Sequence, residues 1–371
     1  MEYLMKKIIV LFIALLLLIP ACAETTTPAP EATSTAAPTS TPTLPDILPQ
    51  SLYYLAADAN DMQQIFRLER DGQTVKQITS EAGGVDNFDL SPADGRILYY
   101  AANTILITDA NGENPQIVEA DLLDASRPIW SPDGTKVAYK VEKVAVLYHL
   151  ETGEKESLFV DAENEVSWFS SFSPDGSKIA LRKYTTPSAP GGSVYVYDFT
   201  QQASIEFPQG KRCYNDAVRW ASPDTLFCYG HNVAGGAMPG LFRMNALDGS
   251  VETLIFSETL PPFLMVDAPR QDAAGNLIYF YAEITDTAML PPAVSVEFNL
   301  VHSAVDGVTD RVNLREEIFT HTYSTWTPNS EALLTEEDNQ LLLVPVDPTL
   351  PIITIMDDTS NIEIYSLEWG P

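Results

Sequence analysis

A tetrapeptide, Ser-Pro-Asp-Gly, occurs twice in closely similar settings, at residues 131–134 and 173–176. Each copy comes after an aromatic residue and before a short apolar run that follows Lys136 or Lys178. Proline favours the second position of a type I turn, aspartate suits the third, and glycine readily takes the left-handed conformation that follows. Because the apolar runs are β-branched or aromatic enough to be strands, the motif predicts a hairpin turn between two strands.

Related turns recur along the chain and define a repeat. The prolines of these turns are Pro92, Pro132, Pro174, Pro223, Pro328 and Pro371. The intervals between successive prolines are 40, 42, 49, 105 and 43 residues. The interval of 105 holds two units, since residues 268–283 contain a degenerate turn at Asp272 and Gly275 before a β-prone run. A second turn signal, such as Asp-Ala-Asn-Gly at 109–112, occurs later in each unit. These signals predict seven units of four short strands each.

The two ends of the repeat region complement each other. The first unit, which starts at Ser51, lacks its own aromatic-proline strand, whereas the C-terminal segment at 364–371 is such a strand with no unit after it. We therefore expect the C-terminal strand to join the N-terminal unit and to close a ring. The predicted fold is all-β, a seven-bladed β-propeller of four-stranded antiparallel blades over residues 51–371.

The pattern aromatic-Ser-Pro-Asp-Gly, strand, strand, Asp-x-x-Gly, strand resembles the WD40-like (PD40) repeats of TolB-type β-propellers. The matching segments, from best to weakest, are 128–160, 169–206, 87–118, 216–255, 266–314 and 325–356. The resemblance implies the propeller fold, which hosts many functions. TolB proteins carry an α/β domain where this chain has a Thr- and Pro-rich segment, so we do not expect a role in the Tol envelope system. The Gly-x-Ser-x-Gly motif of prolyl oligopeptidase-type hydrolases is absent from the sequence.

The N-terminal residues read as a targeting segment. Lys6 and Lys7 precede an unbroken apolar run at 8–19, which is short for a bilayer span and fits a signal peptide. The following Ile-Pro-Ala-Cys resembles the lipobox of bacterial lipoproteins, which implies lipid attachment at Cys22. We expect a lipoprotein-type signal peptide at 1–21, with an ordinary signal peptide as the alternative. Residues 22–50 are rich in Thr, Pro, Ala and Ser and predict a disordered linker.

The charge balance excludes one class of partner. The chain has 51 acidic and 21 basic residues, a net charge of −30, so its surface repels nucleic acid and anionic lipid headgroups. Membrane contact is expected only through the lipid anchor, on the outer face of the cell membrane. No cofactor is expected, although the carboxylates are compatible with loosely bound Ca²⁺. Cys213 and Cys228 would meet an oxidising compartment after export, and a disulfide or two free thiols are equally open.

One face of the predicted propeller carries the longer loops. The connections between second and third strands are long at 184–193, 231–239 and 283–293, and connections between blades at 209–216 and 315–324 share that face. Long loops clustered on a rigid scaffold are the usual place for binding. The alternative is that these loops are tolerated insertions. The candidate partner-binding residues on this face are Arg182, Lys211, Arg212, Tyr214, His231 and Tyr323.

The sequence offers no convincing catalytic or metal-binding set. His231 and His321 lie on the loop face but in different blades, which is too few histidines for the metal centre of a propeller lyase. Acidic residues such as Asp58, Asp89 and Asp124 are abundant but have no Ca²⁺-loop spacing, and most occupy turns, where aspartate is structurally favoured.

The aromatic residues point to packing more than to ligand contact. Most tryptophans precede repeat turns and are expected to pack between blades; these are Trp130, Trp220, Trp326 and Trp369. Trp168 is expected outside that position, in a connection between blades, and is therefore the aromatic residue of most functional interest. The function predicted is a monomeric, non-enzymatic binding or scaffold module for a protein or carbohydrate ligand. The alternative is an extracellular carbohydrate- or peptide-processing enzyme with acidic residues at the channel mouth.

Overall fold

A computed structural model of the chain describes residues 46–122, 127–185, 193–207, 218–230, 240–257, 262–285, 296–320 and 323–371. In these ranges the chain forms seven antiparallel sheets of four strands, which are the blades of a closed β-propeller. The predicted fold class, blade number and blade size are therefore confirmed. Among the same residues, no helix has the length and apolar character needed to cross a membrane.

Each blade is built from strands that follow one another in the chain, except at the closure. Blades 1 and 2 contain β1 (Leu52–Ala57), β2 (Gln63–Leu68), β3 (Val75–Gln77), β4 (Asn87–Leu90), β5 (Ile97–Ala101), β6 (Thr104–Thr108) and β7 (Gln116–Glu119). Blades 3 and 4 contain β8 (Ile129–Trp130), β9 (Lys136–Val141), β10 (Val144–His149), β11 (Lys155–Val160), β12 (Glu165–Phe172), β13 (Lys178–Thr185), β14 (Ser193–Asp198) and β15 (Ala203–Glu206).

The second half of the ring repeats this arrangement. Blades 5 and 6 contain β16 (Val218–Ser222), β17 (Thr225–Gly230), β18 (Gly240–Asn245), β19 (Val251–Ile255), β20 (Phe263–Gln271), β21 (Leu277–Ile284), β22 (Phe298–Ser303) and β23 (Val312–Phe319). Blade 7 and the closing strand are β24 (Tyr323–Trp326), β25 (Ala332–Glu337), β26 (Gln340–Pro345), β27 (Ile353–Met356) and β28 (Ile362–Trp369). Since β28 is the first strand of blade 1, the order in that sheet is β28-β1-β2-β3.

Hydrogen bonds of the serine explain the Ser-Pro-Asp-Gly motif. The Ser131 hydroxyl donates to the Asp133 carboxylate at 2.6 Å and accepts from the backbone N–H of Lys136 at 2.9 Å. The backbone N–H of Gly134 then donates to the carbonyl of Ser131 at 2.9 Å, with Gly134 at a φ of +67°. Ser173 makes the same bonds in the next blade. The motif thus closes the turn between the first two strands, as predicted.

The ring closes between the two ends of the propeller. β28 pairs antiparallel with β1, so that Leu52 lies opposite Trp369 and Ala56 lies opposite Ile362. The backbone N–H of Gly370 also donates to the carbonyl of Ser51 at 2.9 Å. This pairing confirms the expected closure, and it covers an edge of β1 that would otherwise be free to pair with another chain.

The apolar core is divided among the interfaces between blades. Each cluster of buried side chains joins two successive blades, and the cluster that contains Leu52, Leu334 and Leu367 joins blade 7 to blade 1 across the closure. The tryptophans that precede the repeat turns lie in this core: Trp130 and Trp326 are buried, and Trp220 and Trp369 are partly buried against it. Blade-to-blade packing therefore supplies most of the apolar burial.

Three details differ from the sequence expectation or extend it. Trp168 lies inside β12 and not in a connection, because blade 4 starts at Glu165. Residues 315–319, expected in a connection, belong to β23, because this strand pairs with β22 as far as Phe319, which lies opposite Phe298. The side chain of Leu48, ahead of β1, is buried in the cluster at the closure, so contacts with the propeller start before its first strand.

Candidate functional site

A cavity of about 870 Å³ lies at the channel, where the first strands of several blades converge. Its volume falls in the range of small-molecule sites. Its described lining comes from the segment before β8 and from β12, β13, β16, β17, β24 and β28. The cationic and aromatic side chains of this lining, together with one acid, are Arg127, Trp168, Phe169, Phe172, Arg182, Tyr184, Arg219, Trp220, Tyr229, Tyr323, Tyr365 and Glu368.

Strand register places part of this lining. Trp168 of β12 lies directly opposite Arg182 of β13, and Tyr184 follows two residues later on the same face of the sheet. The register shifts between Phe169 and Ser171, so Ser170 has no ladder partner at this point. Such β-bulges redirect side chains next to binding sites. The start of β12 and the end of β13 face the side of the propeller on which the long loops were predicted.

A partly buried charge cluster borders the cavity at the closure. Arg127 is ion-paired with Glu368 of β28, and its guanidinium lies 3.7 Å from a carboxylate oxygen of Asp89 in β4. Burial, together with the negative charge of Glu368, raises the pKa of Asp89 to about 7. The second Asp89 oxygen accepts a hydrogen bond from the backbone N–H of Trp130 at 2.6 Å. The cluster thus connects blades 1, 2 and 3 beside the channel.

Two further guanidinium groups line the cavity, and they differ from that of Arg127 in their ion pairing. Neither Arg182 nor Arg219 forms an ion pair with a carboxylate in the described residues. Arg182 is only 2% exposed. A buried guanidinium without a counter-ion carries a desolvation cost that an anionic ligand would offset. On a protein with a net charge of −30, this cavity is an unusually cationic place.

Phenol groups complete the wall of the cavity. Burial raises the pKa of both Tyr229 and Tyr323, and the nearby charge of Asp267 raises the pKa of Tyr229 further. Both phenols are therefore neutral hydrogen-bond donors at physiological pH. The Tyr323 ring contacts the edge of Tyr365, with centroids 5.6 Å apart and planes at 87°. Trp168, by contrast, is 49% exposed and offers a ring face to solvent.

Two of the residues predicted to bind a partner therefore meet at this cavity. Arg182 and Tyr323 both line it, although they lie in strands and not in the predicted loops. Lys211, Arg212, Tyr214 and His231 lie outside the described residues, as does Cys22. Cys228 takes part in a disulfide bond. Because Cys213 also lies outside the described residues, its pairing with Cys228 stays a prediction.

Sequence reasoning missed most of the lining. Arg127, Arg219 and Tyr229 received no role, and Trp168 was noticed for its position outside the repeat turns. The signal that finds them is position within the repeat: polar or aromatic residues at the start of a first strand, or at the end of a second strand, face the channel. Recognising such positions requires accurate strand boundaries, and the spacing of the turns gives these boundaries only approximately.

Many of the described aspartates stabilise turns. Asp58, for example, accepts hydrogen bonds from the backbone N–H groups of Asn60 and Met62, which stabilise a turn. His302 lies 3.3 Å from the Asp272 carboxylate in blade 6, away from the cavity lining. Among the residues that the structure describes, no group of three or more His, Cys, Asp or Glu side chains is arranged to hold a metal ion. Asp124 lies outside those residues.

Comparisons with known proteins agree with the fold. A prolyl endopeptidase structure matches with a TM-score of 0.57 and 11% identity over 86% of this chain, which spans about half (50%) of that protein. The oligogalacturonate lyase from Vibrio parahaemolyticus matches with a TM-score of 0.51 and 10% identity, over 83% of this chain and 85% of the lyase. TolB from Acinetobacter baumannii matches with a TM-score of 0.41 and 16% identity, over 86% of this chain and 82% of TolB.

No protein-family model matches the sequence. At identities of 10–11% and TM-scores above 0.5, the matches to the prolyl endopeptidase and the oligogalacturonate lyase support the fold alone and leave the chemistry of the channel to be argued from its own residues. The chain is a seven-bladed β-propeller whose structural neighbours include TolB-like proteins.

Proposed function

We propose that the protein is a non-enzymatic binding module that takes its ligand at the channel face. The observation that carries this proposal is the cavity of about 870 Å³, where Arg182 and Arg219 lack carboxylate partners in the described chain and Trp168 presents an exposed ring. Unpaired cationic groups beside an aromatic face are suited to recognition of an anionic ligand. The long-loop face that contains Lys211, Arg212, Tyr214 and His231 would extend the same binding surface.

The enzymatic alternative is less well supported by the described geometry. A carbohydrate- or peptide-processing enzyme needs an acidic group that can exchange a proton with a bound substrate. Glu368 lines the cavity, but its carboxylate is ion-paired with Arg127. Asp89, whose pKa is raised to about 7, borders the cavity, but it shares the Arg127 guanidinium, accepts a hydrogen bond from the backbone N–H of Trp130 and does not belong to the described lining. Binding, by contrast, requires only the aromatic ring of the cavity and its cations that lack a carboxylate partner in the described chain.

The location that fits this role is outside the cytoplasmic membrane. The apolar run at 8–19 after Lys6 and Lys7 supports export, and Cys22 is the proposed site of lipid attachment. Residues 23–45 would then act as a solvated tether between the lipid and the propeller. Metabolic labelling with a fatty-acid analogue tests the anchor: Cys22→Ser should lose both the label and sedimentation with membranes, whereas equal labelling of the variant would contradict lipidation at Cys22.

Proximity labelling of the tethered, full-length protein tests the binding role. We expect one reproducible partner or ligand, and Trp168→Ala should reduce its recovery at least about tenfold because the exposed ring is lost. Leu247→Ala is the matched control, since Leu247 is 55% exposed on a turn of the opposite face. Equal loss in both variants, or turnover of a polysaccharide or peptide by the purified protein, would contradict the proposal.

A further inference from the structure

In the described part of the chain, the Nε–Nη2 edge of the Arg182 guanidinium lies at the cavity and has no hydrogen-bond acceptor. Arg182 projects from β13 beside Trp168, and its Nη1 donates a hydrogen bond to the Tyr184 phenol oxygen at 3.4 Å, the long end of the range. Its Nε and Nη2 are buried and have no hydrogen-bond partner among the residues that the structure describes. A buried donor without an acceptor costs about 1–3 kcal/mol, and more on a charged group. The Arg182 side chain that carries this free-energy cost lines the cavity.

In two other arginines of this structure, the same edge binds a carboxylate. Nε and Nη2 of Arg315 donate to the two carboxylate oxygens of Glu317, at 3.2 and 3.3 Å. Nε and Nη2 of Arg67 both donate to Glu69, at 3.1 and 2.9 Å. Side-on binding of a carboxylate is the usual use of this edge, because its two parallel N–H groups match two carboxylate oxygens. Arg182 therefore has a carboxylate-binding edge that is buried at the cavity wall and has no acceptor in the described chain.

Neighbouring groups define what the carboxylate must be attached to. Trp168 is opposite Arg182 in the strand register and exposes about half (49%) of its surface, so its ring can cover an apolar or ring-shaped part of a ligand. Arg219 adds a second positive charge to the cavity, and the Tyr229 phenol adds a neutral donor. A small organic acid with a flat or apolar face meets all these groups at once.

We propose that Arg182 and Trp168 form a subsite for a carboxylate ligand within the channel cavity. The Nε–Nη2 edge of Arg182 binds the two carboxylate oxygens, and the Trp168 ring packs against the adjoining face of the ligand. Because both nitrogens are shielded from solvent, the guanidinium turns away from its long bond to Tyr184 as the ligand enters. This inference rests on the proposed binding function and names the ligand chemistry of its site.

Isothermal titration calorimetry of the full-length protein tests the subsite with matched probes. 3-Phenylpropionate and glucuronate are the acids, and 3-phenylpropanamide and glucose are their uncharged counterparts. We expect each acid that binds to do so at least about tenfold more tightly than its neutral counterpart. Preference for glucuronate identifies a sugar acid as the ligand class, and preference for 3-phenylpropionate identifies an acid with an aryl or peptide-like face; both outcomes support the subsite.

Arg182→Lys distinguishes bidentate recognition from charge alone. Lysine retains the positive charge and loses the planar edge, so we expect acid affinity to fall at least about tenfold. Arg243→Lys is the matched control, since Arg243 pairs with Glu252 on β18 away from the cavity lining, and it should bind like the wild type. If Arg182→Lys does not fold, the difference between acid and amide on the wild type still decides the question, as does a crystal structure of the complex.

Three results would overturn the subsite. These are equal binding of acid and amide, unchanged affinity in Arg182→Lys, and no binding of either acid up to about 10 mM, the weak end of specific binding. Suppose that one of these results occurs, and that Trp168→Ala still reduces partner recovery in proximity labelling while Leu247→Ala does not. The carboxylate inference then fails, and the proposed binding function stands. If Trp168→Ala and Leu247→Ala behave alike in that experiment, the binding function itself fails.

Discussion

Arg127, in the segment that leads into blade 3, is ion-paired with Glu368 in the strand that closes the ring. The two residues are far apart in the chain and meet because closure brings the last strand beside the first blades. Asp89 of blade 2 shares the same guanidinium. Two acids and one base in a partly buried position leave an excess negative charge, which the structure accommodates by raising the affinity of Asp89 for a proton.

The raised pKa of Asp89 predicts an unusual pH dependence of stability. Its folded-state pKa of about 7 lies above the ordinary carboxyl value, so the native protein binds this proton more tightly than the unfolded chain. The free energy of unfolding should therefore fall as the pH rises from about 4 to about 7, by up to about 1.4 kcal/mol per pH unit, and then level off. Urea unfolding monitored by circular dichroism between about pH 5 and about pH 8 measures this slope.

Asp89→Asn should remove that slope, because the amide does not titrate and can still accept the hydrogen bond from Trp130. Asp58→Asn serves as the control. The hydrogen bonds that Asp58 accepts from Met62 and Asn60 lower its pKa, so that its proton is lost well below the tested range. Identical slopes in the wild type and Asp89→Asn would show that another group titrates.

The closing strand should be a major source of stability. Leu367 is 4% exposed and packs with Leu52 and Leu334 between blades 1 and 7. Leu367→Ala should lower the free energy of unfolding by about 2–5 kcal/mol, because it leaves a cavity in the core that joins the two ends of the ring. Glu363→Ala, at an exposed position of the same strand, should change it by less than about 0.5 kcal/mol. Equal effects in chemical denaturation would argue against a stabilising closure.

Alanine substitutions at two turn glycines can distinguish the effect of backbone strain from that of crowding between blades. Gly134 has a φ of +67°, and an added Cβ would lie 2.9 Å from both Ala93 Cβ and Ser91 Oγ of blade 2. Gly275 has a φ of +87° and no atom within 4 Å of the same position. Gly275→Ala should cost about 1–2 kcal/mol from the left-handed backbone alone.

Gly134→Ala should cost about 2–4 kcal/mol, since it adds contact with the neighbouring turn to the same backbone strain. Thermal denaturation of the two variants beside the wild type provides the comparison. A Gly134→Ala variant as stable as Gly275→Ala would mean that the turns of blades 2 and 3 separate without cost.

The repeat turns explain why so much of the fold was predictable from the sequence. Ser131, Asp133 and Gly134 act through bonds within a few residues, so their effect can be recognised without tertiary information. The turn at Asp272 and Gly275, which lacks the motif, was predicted from its place in the period and is present between β20 and β21. The lone aromatic-proline strand at the C-terminus indicated the closure, because a strand without a blade must pair elsewhere.

The cavity was much less predictable. Arg182 and Tyr323 were selected as loop-face residues, yet both lie in strands that border the channel. Arg127 and Arg219 drew no attention, because nothing within their own segments distinguishes them from surface arginines. Trp168 was assigned to a connection because turn spacing did not reveal that β12 begins at Glu165.

By itself, the sequence determined the strand class, the seven units and the closing strand, because turns and strand propensity are local and repeat with a period. Tertiary structure alone decided that Arg127, Trp168, Arg182, Arg219 and Tyr323, from separate parts of the chain, line one cavity. The reason is that side chains converge through closure of the ring. The tertiary structure alone also decided which of these arginines has a carboxylate partner in the described chain. Such pairing depends on distances between blades, which no local sequence pattern encodes.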